Sequence, residues 1–159
     1  MRLYFLRHAD AIEGRDDAKR PLSERGIAES HFMAFCLRRS NIYFDAAYTS
    51  PLVRAQQTAG IVFELCRAKG AMDLQTVDAL LNETSQQAFG RWLGRLPAAE
   101  HVLLVGHAPS LAERACVLLG LAATPALTLP KAGLACVETE DRTAGILKLF
   151  LAPKPLGLK

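Results

Sequence analysis

What this chain lacks narrows the field before any motif is read. No run of apolar residues approaches the roughly 20 needed to span a membrane. The apolar stretch at the start, Leu3 to Leu6, gives way at once to Arg7, which predicts no signal peptide. Cysteine is sparse and scattered: Cys36, Cys66, Cys116 and Cys136 form no Cys-x-x-Cys pair and no metal-ligand spacing. Three of the four fall inside helix-like apolar patterns, so buried free thiols and a cytoplasmic protein are expected. Charge bias is also missing. Lys and Arg number 19 against 16 Asp and Glu, a formal charge of +3, and no basic run exceeds a pair such as Arg38-Arg39. That predicts no nucleic-acid partner and no membrane partner. The sequence shows no internal repeat and no linker, so residues 1–159 are expected to form one domain.

What is present is a globular composition, half hydrophobic and 22% charged, in a chain long enough to bury a substantial core. Two short apolar runs each end in polar residues of unusual kind. Leu3-Tyr-Phe-Leu6 reads as a strand buried on both faces, followed directly by Arg7 and His8. Val102-Leu-Leu-Val105 reads as a second central strand, followed by Gly106-His107 and a helix starting near Pro109. In open α/β sheets ligands sit outside the carboxyl ends of the strands, so Arg7, His8 and His107 stand where chemistry is done. His101, at the entrance of the second strand, reads as plain surface.

The rest of the chain supplies the flanking elements. Ser23 reads as the N-cap of a helix to about Arg39, with Glu24 in its first turn and Gly26 as a weak point. Tyr43 to Thr49 is a strand rich in aromatic residues. Ser50 then reads as an N-cap with Pro51 at the first helical position, opening a helix to about Ala68. Arg54 falls one turn into that helix and Thr58 one turn further on the same face. A strand end, a helix start and a first-turn arginine outline an anion site. Residues 73–78 suggest a third, partly exposed strand and 80–83 a loop. Thr84 with Gln87 suggests a capping box for a helix to about Arg95. Residues 121–130 read as a loop, 134–139 and 145–151 as a β-hairpin, and the tail from Pro153 as loosely ordered.

Two arginines and two histidines at strand ends or helix starts fit a phosphoryl group passing to histidine. One imidazole attacks phosphorus while the other three groups neutralise oxygens. At this point the sequence resembles the histidine phosphatase superfamily, the phosphoglycerate-mutase-like proteins, and within it the small bacterial phosphohistidine phosphatases of the SixA type. The resemblance rests on Arg7-His8-Ala9, on Ser50-Pro51-Leu52-Val53-Arg54-Ala55-Gln56-Gln57-Thr58 and on Val105-Gly106-His107-Ala108-Pro109. Arg20-Pro21-Leu22-Ser23 and Lys131-Ala132-Gly133 agree with it. It implies an α/β fold: a three-layer α/β/α sandwich with a mostly parallel central sheet, here without a cap insertion.

The same resemblance implies that His8 is a transiently phosphorylated nucleophile and that Arg7, Arg54 and His107 hold the phosphoryl oxygens. Arg20 is counted with the substrate-binding residues. No metal or cofactor is implied. Ala9 stands where the family usually has glycine, which is tolerable if its φ is negative. The larger departure is that no recognisable motif carries a general acid. Glu83 is the nearest candidate, with Asp78 and Asp10 behind it. Imidazole leaves readily without a dedicated acid, and an uncapped pocket admits a side chain projecting from a protein. The expected substrate is therefore a protein phosphorylated on histidine, with phosphate or another oxyanion as the pocket's ligand. The alternatives are a phosphomonoesterase acting on a small metabolite, with Glu83 as the acid, and a non-catalytic phosphate-binding module.

Overall fold

The two apolar runs become the centre of one sheet. In the computed structural model, which describes residues 1–121 and 126–154, the strands are β1 (Arg2–Arg7), β2 (Ala46–Thr49), β3 (Gln75–Thr76), β4 (His101–Gly106), β5 (Leu134–Thr139) and β6 (Gly145–Leu151). The helices are α1 (Glu24–Arg39), α2 (Val53–Leu65), α3 (Gln86–Gly94) and α4 (Ser110–Leu118). The strand order is β3-β2-β4-β1-β5-β6. The first four strands run parallel, while β5 pairs antiparallel with β1 and closes the predicted hairpin with β6. Residues 122–125 of the expected loop and 155–159 of the expected tail lie outside the described residues.

Both faces of the sheet are covered, which explains why the centres of β1 and β4, Leu3 to Leu6 and Val102 to Val105, are continuously apolar instead of alternating. On one face Leu3, Phe5, Val102 and Leu104 pack against Phe89 and Leu93 of α3 and Leu111, Ala115 and Leu118 of α4. On the other, Tyr4, Leu6, Leu103 and Val105 pack against Met33 and Leu37 of α1 and Val62 and Phe63 of α2. The result is the three-layer α/β/α sandwich with a mostly parallel sheet.

Several local expectations change, each for a visible reason. Strand β2 begins at Ala46, after Phe44 pairs instead with the chain beyond α2: Phe44 N donates to Cys66 O and Ala68 N to Phe44 O. That pairing also stops α2 at Leu65 rather than near Ala68. Strand β3 is two exposed residues on the sheet edge. Ser85, not Thr84, caps α3 by accepting from Ala88 N, because the Thr84 hydroxyl donates to Asp78 O at 2.6 Å. Ser23 caps α1 as expected, accepting from Gly26 N. Gly26 is a requirement there, since an added Cβ would lie 1.9 Å from the Asp10 carbonyl oxygen. All four cysteines are free thiols, three of them buried. No helix among the described residues is long and apolar enough to cross a membrane.

Candidate active site

The parallel strands end together, and their ends build the site. Arg7 closes β1 and pairs with Gly106 of β4, so His8 and His107 follow side by side. His8 N donates to Gly106 O at 3.0 Å, and the two imidazole centroids lie 5.1 Å apart. The chain around Lys131 braces the other side. Arg7 N donates to Gly133 O, and Ala132 N donates to His8 O. Ala132 does so with φ of 54°, a left-handed conformation that costs a residue with a Cβ on the order of 1 kcal/mol and recurs at functional sites. Ala9 is fully buried, is not among the positive-φ residues, and donates its N–H to Thr58 Oγ1 at 3.1 Å. Its Cβ therefore brings no backbone strain.

Each imidazole is held in a defined orientation. His8 Nδ1 lies 2.8 Å from Ala9 O, an acceptor only, so Nδ1 carries the hydrogen and Nε2 keeps its lone pair. That lone pair faces Arg54, whose Nε lies 3.3 Å away. Burial, with the guanidinium charges of Arg54 and Arg7 adding to it, pushes the His8 pKa down to about 4. Near neutral pH the Nε2 nitrogen of His8 is thus unprotonated. His107 is also pushed down, to about 3, first by burial and then by His8 and Arg54.

The arginines differ in how completely they are occupied. Arg54 donates through Nη1 to Asp17 O at 2.7 Å and through Nη2 to Asp17 Oδ2 at 3.1 Å, so its fork is tied to the loop before α1. Arg7 donates through Nη1 to Leu129 O, while its buried Nε finds no partner among the described residues. Burial lowers the Arg7 pKa. His107 Nδ1 is also buried and without a partner among the described residues. Buried polar groups are nearly always paired, so both nitrogens are available to a ligand.

The remaining predicted residues lie further out. Arg20 donates to Asp17 Oδ1, Glu13 Oε1 and Ile12 O, one step removed from the Arg54 fork. Asp10 is bound to Lys131 and Ser23, which hold its carboxyl below its ordinary range. Glu83 and Asp78 are exposed. Sequence reading missed three contributors. Asp17 reaches Arg54 from a loop with no distinguishing pattern. Asn82 clamps the turn after His107, donating to Ala108 O at 2.7 Å and accepting from Ser110 N at 3.3 Å. Ser50 places its hydroxyl 2.5 Å from His107 Nε2. Helix α2 begins two residues later than expected, with Leu52 as its cap, so Ser50 is not the N-cap. Among the described residues no three His, Cys, Asp or Glu side chains gather as metal ligands.

Comparison with known proteins agrees with this geometry. The chain is 37% identical over 97% of its length to an uncharacterized protein of Picosynechococcus sp. that it covers to 98%. It is 36% identical over 59 residues, 36% of this chain and 37% of the relative, to the phosphohistidine phosphatase SixA of Escherichia coli. Among solved structures, the protein histidine phosphatase SixA complexed with tungstate superposes with a TM-score of 0.84 at 23% identity, over 98% of this chain and 99% of that one. The α-ribazole phosphatase of Shigella flexneri superposes with a TM-score of 0.71 at 18% identity, over 96% of each chain. Residues 3–101 match the family model of the histidine phosphatase superfamily (branch 1). With Arg7, His8, Arg54 and His107 drawn to one point of a SixA-like fold, the chain belongs to the histidine phosphatase superfamily, and it is a phosphatase of that superfamily.

Proposed function

We propose that this phosphatase removes phosphoryl groups from histidine side chains of a protein substrate, with His8 as nucleophile. The observation that carries the reading is the lone pair of His8 Nε2, fixed by Nδ1–H on Ala9 O and bordered by Arg54 Nε. In the first step Nε2 attacks phosphorus, the N–P bond to the substrate imidazole breaks, and that imidazole takes a proton from solvent. In the second step water attacks phosphorus, the N–P bond to His8 breaks, and inorganic phosphate leaves. Arg7, Arg54 and His107 hold the phosphoryl oxygens as charge shifts among them. No metal or cofactor enters either step.

The substrate class follows from the leaving group. An alkoxide needs a proton donor in the transition state, whereas imidazole, with a conjugate-acid pKa near 6.5, departs readily. The groups that converge on His8 are guanidinium and imidazole, and the carboxylate that reaches this cluster, Asp17, is committed to Arg54 and Arg20. Phosphohistidine suits such a site. The segment between α2 and β4 forms only the edge strand β3, a short turn and α3, and a site without an inserted cap suits a side chain projecting from another protein.

One observation favours a second reading, hydrolysis of a small phosphate ester with Glu83 as general acid. Glu83 adjoins Asn82, whose side chain bonds the turn after His107. The two readings separate on Glu83→Gln. If imidazole is the natural leaving group, this variant dephosphorylates a phosphohistidine protein at nearly the wild-type rate. The wild type is then slow on alkyl phosphates and faster on aryl phosphates with acidic phenols. If Glu83 is the acid, the variant loses roughly 10²–10⁴-fold on alkyl esters that the wild type hydrolyses quickly. Turnover of both proteins on alkyl phosphates, aryl phosphates and phosphohistidine decides between them.

A further inference from the structure

Ser50 is completely buried at the end of β2, and its backbone extends the pairing with β4 by one bond, Ser50 N to Val105 O at 3.1 Å. This locks the residue beside the strand that delivers His107. The ring is fixed from the other side too, because His107 O accepts from Leu111 N and Asn82 clamps the turn that follows. Ser50 Oγ and His107 Nε2 thus face each other across two anchored backbones.

A hydroxyl has one hydrogen to give and two lone pairs to receive. The N–H of Leu52 points at Ser50 Oγ, 3.4 Å away, and takes the receiving side. Among the described residues the acceptor for the hydroxyl hydrogen is His107 Nε2. The opposite arrangement, Nε2–H donating to Oγ, would leave that hydrogen without an acceptor in a buried site. It would also turn Nδ1 into a lone pair, which repels an oxyanion. A ring that accepts at Nε2 carries its single proton on Nδ1, and Nδ1 is the buried nitrogen that lacks a partner.

We propose that Ser50 is a positioning residue: by donating to His107 Nε2 it fixes the neutral imidazole with Nδ1–H free to bind a phosphoryl oxygen. The tautomer half stands on this geometry alone, and the oxyanion half rests on the proposed phosphatase reading. Ser50 touches no reacting atom. It decides whether His107 meets the anion as a donor or as a lone pair.

Two-bond proton–nitrogen correlation spectra of the ¹⁵N-histidine-labelled full chain test this without any activity, the ring signals being assigned by replacing each of the four histidines in turn. In the wild type His107 is expected to carry its proton on Nδ1, and added inorganic phosphate is expected to shift that signal. Ser50→Ala should move the proton wholly or partly to Nε2 and weaken phosphate binding about tenfold. It should lower kcat on an aryl phosphate by roughly 10–10²-fold with a smaller change in KM, as for loss of one oxyanion donor, while Ser50→Thr restores most of both. A wild-type His107 protonated on Nε2 would overturn the proposal, whether or not any variant folds. A tautomer that moves in Ser50→Ala while phosphate affinity and turnover stay unchanged would overturn the oxyanion half. A wild type inactive on every phosphoryl compound would sink the phosphatase reading, yet the spectra and phosphate binding would still decide the role of Ser50.

Discussion

Strand β4 begins and ends at a histidine, and the two ends of this one strand differ in a way that separates structure from chemistry. At the start, His101 is fully engaged. Tyr4 Oη lies 2.8 Å from its Nδ1, Glu100 Oε1 lies 3.7 Å from its Nε2, and its ring stacks on Tyr4 at 28°. Asp45 also accepts from the backbone N–H of Glu100 and His101, which seals that end of the sheet. At the finish, His107 is more deeply buried yet keeps one ring nitrogen without a partner among the described residues. A satisfied histidine at a strand end contributes to stability. A buried and unsatisfied one is held ready for a ligand, at a cost the rest of the fold must offset.

The largest test of that contrast is at the finish. His8→Ala should remove at least about 10⁴-fold of turnover, because the covalent route is lost, while the fold survives, since His8 lies beyond β1 and outside the apolar clusters on the sheet's two faces. Turnover on phosphohistidine together with a thermal melt measures both. Appreciable residual activity in a pure, folded His8→Ala sample would remove this residue from the nucleophile's role. Arg54→Ala should cost less, roughly 10²–10³-fold, with weaker binding of phosphate or vanadate. Lysine should recover only part, because a point charge cannot replace a planar fork. Oxyanion affinity unchanged in Arg54→Ala would place the arginine outside the pocket.

These residues could be read from the sequence because the position of a side chain at the end of a buried strand or the first turn of a helix is set by local rules. The apolar runs fixed where β1 and β4 stop, and so placed Arg7, His8 and His107. A helix start after β2 placed Arg54. The partners of hydroxyls, amides and loop carboxylates obey no such rule. Ser50 followed by Pro51 has the signature of a helix cap, and only the pairing of β2 with β4 shows that the hydroxyl meets an imidazole 57 residues away. Asp17 sits in a mixed-charge loop whose path depends on tertiary contacts. Arg114 of α4 is likewise placed by tertiary contacts: it is buried against the Phe89 ring at 4.7 Å and donates to Leu81 O and Thr84 O, so supporting the loop that carries Asn82.

The smallest expected effect on turnover is at the start of β4. His101→Phe keeps the ring that stacks on Tyr4 but removes its nitrogens, leaving the buried Tyr4 hydroxyl without this partner at a cost of about 1–2 kcal/mol. Turnover should stay within about twofold of the wild type, since nothing at this end of the sheet touches the site. Acid stability sharpens the comparison further. Folded His8 and His107 take a proton only near pH 4 and pH 3, whereas unfolded histidine does so near 6.5. Between those limits the unfolded chain binds more protons, so their neutral burial weighs fully in favour of the fold above about pH 6.5. That contribution is lost progressively as pH falls toward 4 and then 3. His107→Gln should flatten the slope of that profile, because it removes one of the two buried imidazoles that stay neutral in the fold. Urea unfolding at several pH values between 4 and 7 measures the slope. A His107→Gln profile as steep as that of the wild type would mean that the acid sensitivity arises elsewhere, and the distinction drawn for this end of the strand would fail.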